Sequence, residues 1–146
     1  MRRNVIGLCL AIAVGTLPAV VVATPAQATD YTFSVSYHHA ASGALAVRVR
    51  GDIEWHNRSV SLRNIRLWVR AGECGRGGFF GFGGVIDYRT TAERCAGSAN
   101  TEFSNITDIT LDGDTGTAGV AINYIDITAI DETHGGAYEL DTYSRN

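Results

Sequence analysis

The chain has 146 residues, 45% of them apolar and 18% charged, with a formal net charge of −3, and all 12 basic residues are arginine. Without lysine it cannot use a P-loop lysine, a Schiff-base lysine or a serine–lysine dyad. The acidic balance argues against nucleic acid as a partner.

Met1 to Ala28 reads as an export signal. Arg2 and Arg3 precede an apolar run from Val5 to Ala23, interrupted by Pro18, and Ala26-Gln27-Ala28 gives a small-residue cleavage site. Cleavage before Thr29 leaves 118 of the 146 residues, which suits one domain with one core. It also takes the net charge from −3 to −5 through loss of Arg2 and Arg3. The expected organisation is residues 1–28 as signal peptide and 29–146 as one secreted, extracellular domain, with no membrane association after cleavage. A retained anchor is the alternative.

Tyr31, Phe33, Val35 and Tyr37 alternate with polar residues, the period of a half-buried strand. Ala41-Ser42-Gly43 turns the chain. Leu45, Val47, Val49, Ile53 and Trp55 then share one parity, whereas Arg48, Arg50, Asp52 and Glu54 take the other. His56-Asn57-Arg58 turns again. Val60 and Leu62 share a parity that Ile65, Leu67 and Val69 reverse, so a β-bulge is expected at Arg63-Asn64. Arg66, Trp68 and Arg70 line the outward face of that strand, either as a shielded ring or as a ligand platform.

Cys74 and Cys95 are the only cysteines of the mature chain, and export makes a disulfide between them the expectation. Closing the loop between them is worth about 3 kcal/mol in the chain-entropy model. Six of the ten residues from Gly75 to Gly84 are glycine, with Phe79, Phe80 and Phe82 among them. The segment is expected as a loop tethered by the disulfide. Its rings either plug the core or stand exposed as a binding tip.

Beyond it, Val85 to Arg89 is short and strand-like, and Phe103 to Leu111 is moderately so. Asp112-Gly113-Asp114-Thr115-Gly116 is a turn cluster. Val120 to Ile130 is a long strand with a parity change at Tyr124-Ile125, and Ala137 to Tyr143 adds an edge strand. About seven strands with Gly/Asp/Asn/Ser turns and no amphipathic helix point to an all-β antiparallel β-sandwich. A jelly roll or small barrel is the alternative.

Charge is uneven: residues 45–95 carry nine Arg against five acids, and residues 96–146 one Arg against nine. The expectation is that the halves pair across one domain. No HExxH, CxxC or His-x-His spacing exists. His38 and His39 point to opposite faces of a strand, so no metal and no cofactor are expected. Asp112 and Asp114 fit the start of a calcium loop, but the remaining ligands are missing, and a hairpin turn accounts for them. Glu54, Glu73, Asp87 and Glu93 offer carboxylates for a glycosidase pair, yet nothing selects two of them. Glu73 reads as a strand-end surface charge.

The function expected is therefore non-catalytic: a secreted module that binds an extracellular protein or polysaccharide. It would act through the Cys74–Cys95 segment, with Phe79, Phe80 and Phe82, or through the Arg66/Trp68/Arg70 face. An inhibitor presenting the tethered glycine loop and a small hydrolase with an unseen site are the alternatives.

Overall fold

The computed structural model describes residues 31–84, 86–112 and 121–145. The described residues contain ten strands and no helix: β1 (Tyr31–His38), β2 (Leu45–Trp55), β3 (Val60–Val69), β4 (Cys74–Gly83), β5 (Ile86–Thr90), β6 (Arg94–Cys95), β7 (Thr101–Phe103), β8 (Ile109–Leu111), β9 (Ile122–Asp131) and β10 (Ala137–Ser144). The count exceeds the expected seven because the glycine run forms β4, the 103–111 region splits into β7 and β8, and β6 forms where Cys95 meets Cys74. The expected export signal at 1–28 and residues 113–116 of the expected turn cluster lie outside the described residues. Among the described residues, no helix is long and apolar enough to cross a membrane.

All pairings are antiparallel and fall into two sheets. One runs β1-β2-β3-β7, with β8 also on β3; the other runs β10-β9-β4-β5, with β6 also on β4. The arrangement is consistent with a β-sandwich. The inward parity of each strand follows the apolar positions of the sequence. Phe33, Val35, Val47, Val49, Ile53, Leu62, Ile65, Leu67 and Val69 from the first sheet meet Phe79, Ile125, Ile127 and Ala129 from the second in one buried cluster.

The bulge expected at Arg63-Asn64 is present. Arg50 pairs with Arg66 and Asp52 with Arg63, so Asn64 and Ile65 together face Gly51. Asn64 takes a positive φ of 50°, which asparagine tolerates better than most residues, and its Nδ2 donates to Asp52 Oδ2 at 2.6 Å. Gly51 is required opposite: a Cβ there would lie 2.8 Å from Arg63 O and 2.9 Å from the Phe33 ring. The second irregularity falls at Asn123, just before the expected Tyr124-Ile125, because Phe82 pairs with Tyr124 but Gly83 with Ile122.

The glycine run departs most from expectation. It is not a loop but β4, a central strand paired with β9 on one side and with β5 and β6 on the other. Its glycines serve by lacking a Cβ. At the inward positions, a Cβ on Gly75 would come within 2.6 Å of Val47 Cγ2, and one on Gly77 within 3.1 Å of Val49 Cγ1. The facing sheet thus rests its valines on the β4 backbone itself. Cys74 and Cys95 are direct cross-strand partners, joined by the disulfide with Cα atoms 4.0 Å apart.

The two sheets also meet along the β1 and β10 edges. The Tyr143 ring lies edge-on to Phe33 at 6.4 Å, and the Ser34 backbone N–H donates to its hydroxyl. Burial pushes the Tyr143 phenol above its ordinary value, helped by the nearby Asp141 carboxylate and opposed by the Ser34 hydrogen bond. A raised folded-state pKa means that the unfolded chain loses this proton first. The stability that depends on it is therefore complete below about pH 10 and lost as pH rises through the folded value. Urea melts from pH 8 to 10.5 are expected to show a smaller alkaline loss for Tyr143→Phe than for wild type. Equal losses would contradict the burial of this phenol.

The two differently charged halves of the sequence do meet. Glu102 sits between Arg50 at 2.8 Å and Arg66 at 3.8 Å, and Arg76 pairs with Glu132. Other pairs stay within one half, such as Arg63 with Glu54 at 2.6 Å. These partly exposed pairs set complementarity more than stability.

Candidate functional site

Alternation along β4 sends Phe79 inward, where it is fully buried, and Phe80 and Phe82 outward, half-buried. Register then assembles a row of rings on the outer face of the second sheet. Phe80 is opposite Tyr88 on β5, and Phe82 is opposite Tyr124 on β9. The rings stack with centroids 4.1 Å apart for Phe80–Tyr88 and 4.9 Å apart for Phe82–Tyr124, and Phe80 and Phe82 lie 6.4 Å apart. Tyr138 (60% exposed) and Leu140 (40% exposed) stand across β9 on the edge strand β10. An edge strand with so much apolar side chain in water is a departure from the usual charged edge.

Between these walls runs a cleft of about 320 Å³, lined by Phe80, Phe82, Asp126, Thr128, Ile130, Tyr138 and Leu140. That volume lies at the lower end of the range for ligand sites. The floor is β9. Asp126 accepts a hydrogen bond from Thr142 Oγ1 at 2.6 Å. Thr128 is only 3% exposed, and among the described residues its Oγ1 has no hydrogen-bond partner. Gly78 lies beside it: a Cβ there would stand 2.4 Å from Thr128 Oγ1, so the bare backbone makes room for the hydroxyl. A buried hydroxyl without a partner costs roughly 1–3 kcal/mol, a cost that a ligand hydrogen bond would remove.

The other candidate face is arranged differently. Trp68 on β3 is half-buried, with Arg48 of β2 and Glu102 of β7 as cross-strand neighbours. Arg66 reaches toward Glu102, whereas Arg70 lies 3.9 Å from Glu73. The three residues thus share a face but not partners, and the open cleft on this side is lined by Arg66 together with Thr32, Phe33, Ser34, Arg50, Gly51, Asp52 and Asn64 rather than by Trp68 or Arg70. Phe79, a candidate for binding in the sequence, belongs to the core and is out of a ligand's reach. With β4 built into a sheet, no free glycine loop remains for presentation to a target.

Glu73 also departs from expectation. Its side chain is 12% exposed, and Oε1 lies 3.0 Å from His39 Nε2. His39 Nδ1 is 3.9 Å from Asp131 Oδ2, which in turn is 2.8 Å from His134 Nδ1. Of the other acids considered for catalysis, Glu54 pairs with Arg63 on the first sheet. Asp87, on the second sheet, accepts from the backbone N–H of Asp112.

Sequence reasoning did not single out Tyr88, Tyr124, Tyr138 and Leu140. Each occupies an outward position of its strand, and that repeated parity was the available signal. Strand order and register were needed to bring them together. Comparison of the chain with protein-family models, curated proteins and solved structures finds no match.

Proposed function

We propose that this chain is a secreted, non-catalytic β-sandwich module that binds an extracellular polysaccharide on the outer face of the β10-β9-β4-β5 sheet. The observation that carries the reading is the cleft along β9, with aromatic walls and a polar floor. A pyranose ring has apolar C–H faces and a rim of hydroxyls. Phe82 and Tyr138 offer apolar surface to the former, while Asp126 and the Thr128 hydroxyl, which has no partner among the described residues, offer hydrogen bonds to the latter. The mixture suits a sugar polymer better than a purely apolar partner, which would leave Thr128 and Asp126 desolvated.

The test is retention of the mature protein on insoluble cellulose, chitin and peptidoglycan. One of these is expected to retain wild type. Tyr138→Ala, an exposed edge-strand change, is expected to weaken retention by about tenfold, the equivalent of about 1.4 kcal/mol, with an unchanged melting temperature. Retention by none of the three, or equal retention of the variant, would contradict the reading. Selective capture of a protein by a patch of exposed rings would favour a protein partner instead.

A further inference from the structure

Four chain segments converge at the end of the molecule that holds the disulfide. His39 follows β1, Glu73 precedes β4, Asp131 ends β9, and His134 lies in the turn between β9 and β10. Taking one ligand atom from each, all four lie within 4.8 Å of one another. The two imidazoles meet edge-on, with centroids 4.6 Å apart. Cys74, next to Glu73, donates its backbone N–H to Thr133 Oγ1 at 2.7 Å and accepts from Glu132 N at 3.0 Å. The disulfide and these bonds fix the Glu73 segment against the Asp131–His134 turn.

Hydrogen bonding explains part of this cluster. Asp131 is fully buried, and its Oδ1 accepts from Thr133 N at 3.0 Å and His134 N at 3.3 Å, which shapes the turn. Glu73 fits that account through one oxygen only: Oε1 is hydrogen-bonded to His39 Nε2 at 3.0 Å. Its Oε2 is shielded from solvent and has no hydrogen-bond partner among the described residues, and the guanidinium of Arg70 is 3.9 Å away, on the Oε1 side. The second oxygen of this carboxylate therefore remains open to a cation.

We propose that His39, Glu73, Asp131 and His134 form a binding site for a first-row divalent metal ion, zinc being the best fit. Two imidazoles and two carboxylates are a zinc-type donor set, and the two carboxylate charges neutralise the ion. Tetrahedral zinc with bonds near 2.0–2.1 Å places its ligands roughly 3.3 Å apart. With one donor atom from each residue, the four now lie within 4.8 Å of one another, so a modest contraction of the side chains brings them to that spacing. His134, with a side chain 52% exposed and Nδ1 2.8 Å from Asp131 Oδ2, closes the solvent side of the shell. Four protein ligands drawn from both sheets make this a closed, structural site that cross-links the fold beside its disulfide. It does not depend on the polysaccharide-binding reading.

The experiment uses untagged mature protein freed of metal by chelation, titrated calorimetrically with zinc and, separately, with magnesium and calcium. The expected result is one zinc per chain, a rise in melting temperature with zinc concentration, and little response to the two hard cations. Cobalt(II) in place of zinc should give the strong visible absorption of four-coordinate geometry. His134→Ala, at an exposed turn position, should weaken zinc binding by about 100-fold or more, whereas His38→Ala, outside the cluster, should leave it unchanged. Absence of zinc binding, or equal loss in the two variants, would overturn the assignment.

Discussion

Phe79→Ala should lower the free energy of unfolding by about 3–5 kcal/mol, the usual cost of removing a buried phenyl ring. Phe79 is fully buried and packs edge-on against Phe33 of the facing sheet, with centroids 6.2 Å apart. It is the one large inward side chain on β4, between glycines that leave the facing valines in contact with backbone. Truncation therefore opens a cavity that its neighbours have little side chain to fill. Phe82→Ala, three residues along on the outward face, should cost much less, about 1–2 kcal/mol. Urea denaturation of the two variants measures the difference. Equal costs would mean that β4 does not present its faces as described.

Removing the disulfide should have the next largest effect. In the Cys74→Ala, Cys95→Ala double variant, about 3 kcal/mol of loop-closure stabilisation is lost, and the melting temperature should fall by about 10–15 °C for a domain of this size. The fold should persist. Gly75 to Gly83 remain paired with β9 along nearly their whole length, and Thr91 still accepts from the Gly77 amide at 3.0 Å through its side chain. A melting temperature within a degree or two of wild type would show that the link constrains little. An unfolded variant would show that the link nucleates β4 rather than securing it.

These two cases mark what the sequence can and cannot convey. Period-two alternation placed β1, β2 and β3 within a residue or two, and the parity switch at Arg63-Asn64 located a real bulge, because a half-buried strand writes its burial into every second residue. β4 carries no such record. Its inward positions are mostly glycine, so the segment has the composition of a loop, and only the facing Val47 and Val49 explain why side chains are excluded. The Phe79 and Phe80 faces were separable by parity once a strand was assumed. The proposed binding surface was harder to read, since Phe80, Phe82, Tyr124 and Tyr138 come from three strands whose order depends on long-range pairing.

The histidine cluster shows the same limit more sharply. His39 and His134 are separated by most of the domain in sequence, and only the Asp131–His134 pair is close in the chain. Sequence patterns detect metal ligands that sit on one hairpin or helix turn. Here only Asp131 and His134 share a hairpin, while His39 and Glu73 lie at the ends of β1 and β4, and the two sheets must pack before the four can meet.

The central claim is that ligand recognition lies on the outer face of the β10-β9-β4-β5 sheet. It is tested most directly by following aromatic side-chain NMR signals while titrating soluble oligosaccharides of the polymer that retains the protein. The account predicts shifts at Phe80, Phe82, Tyr124 and Tyr138, with Trp68 unmoved. Shifts centred on Trp68, beside Arg66 and Arg70, would contradict it.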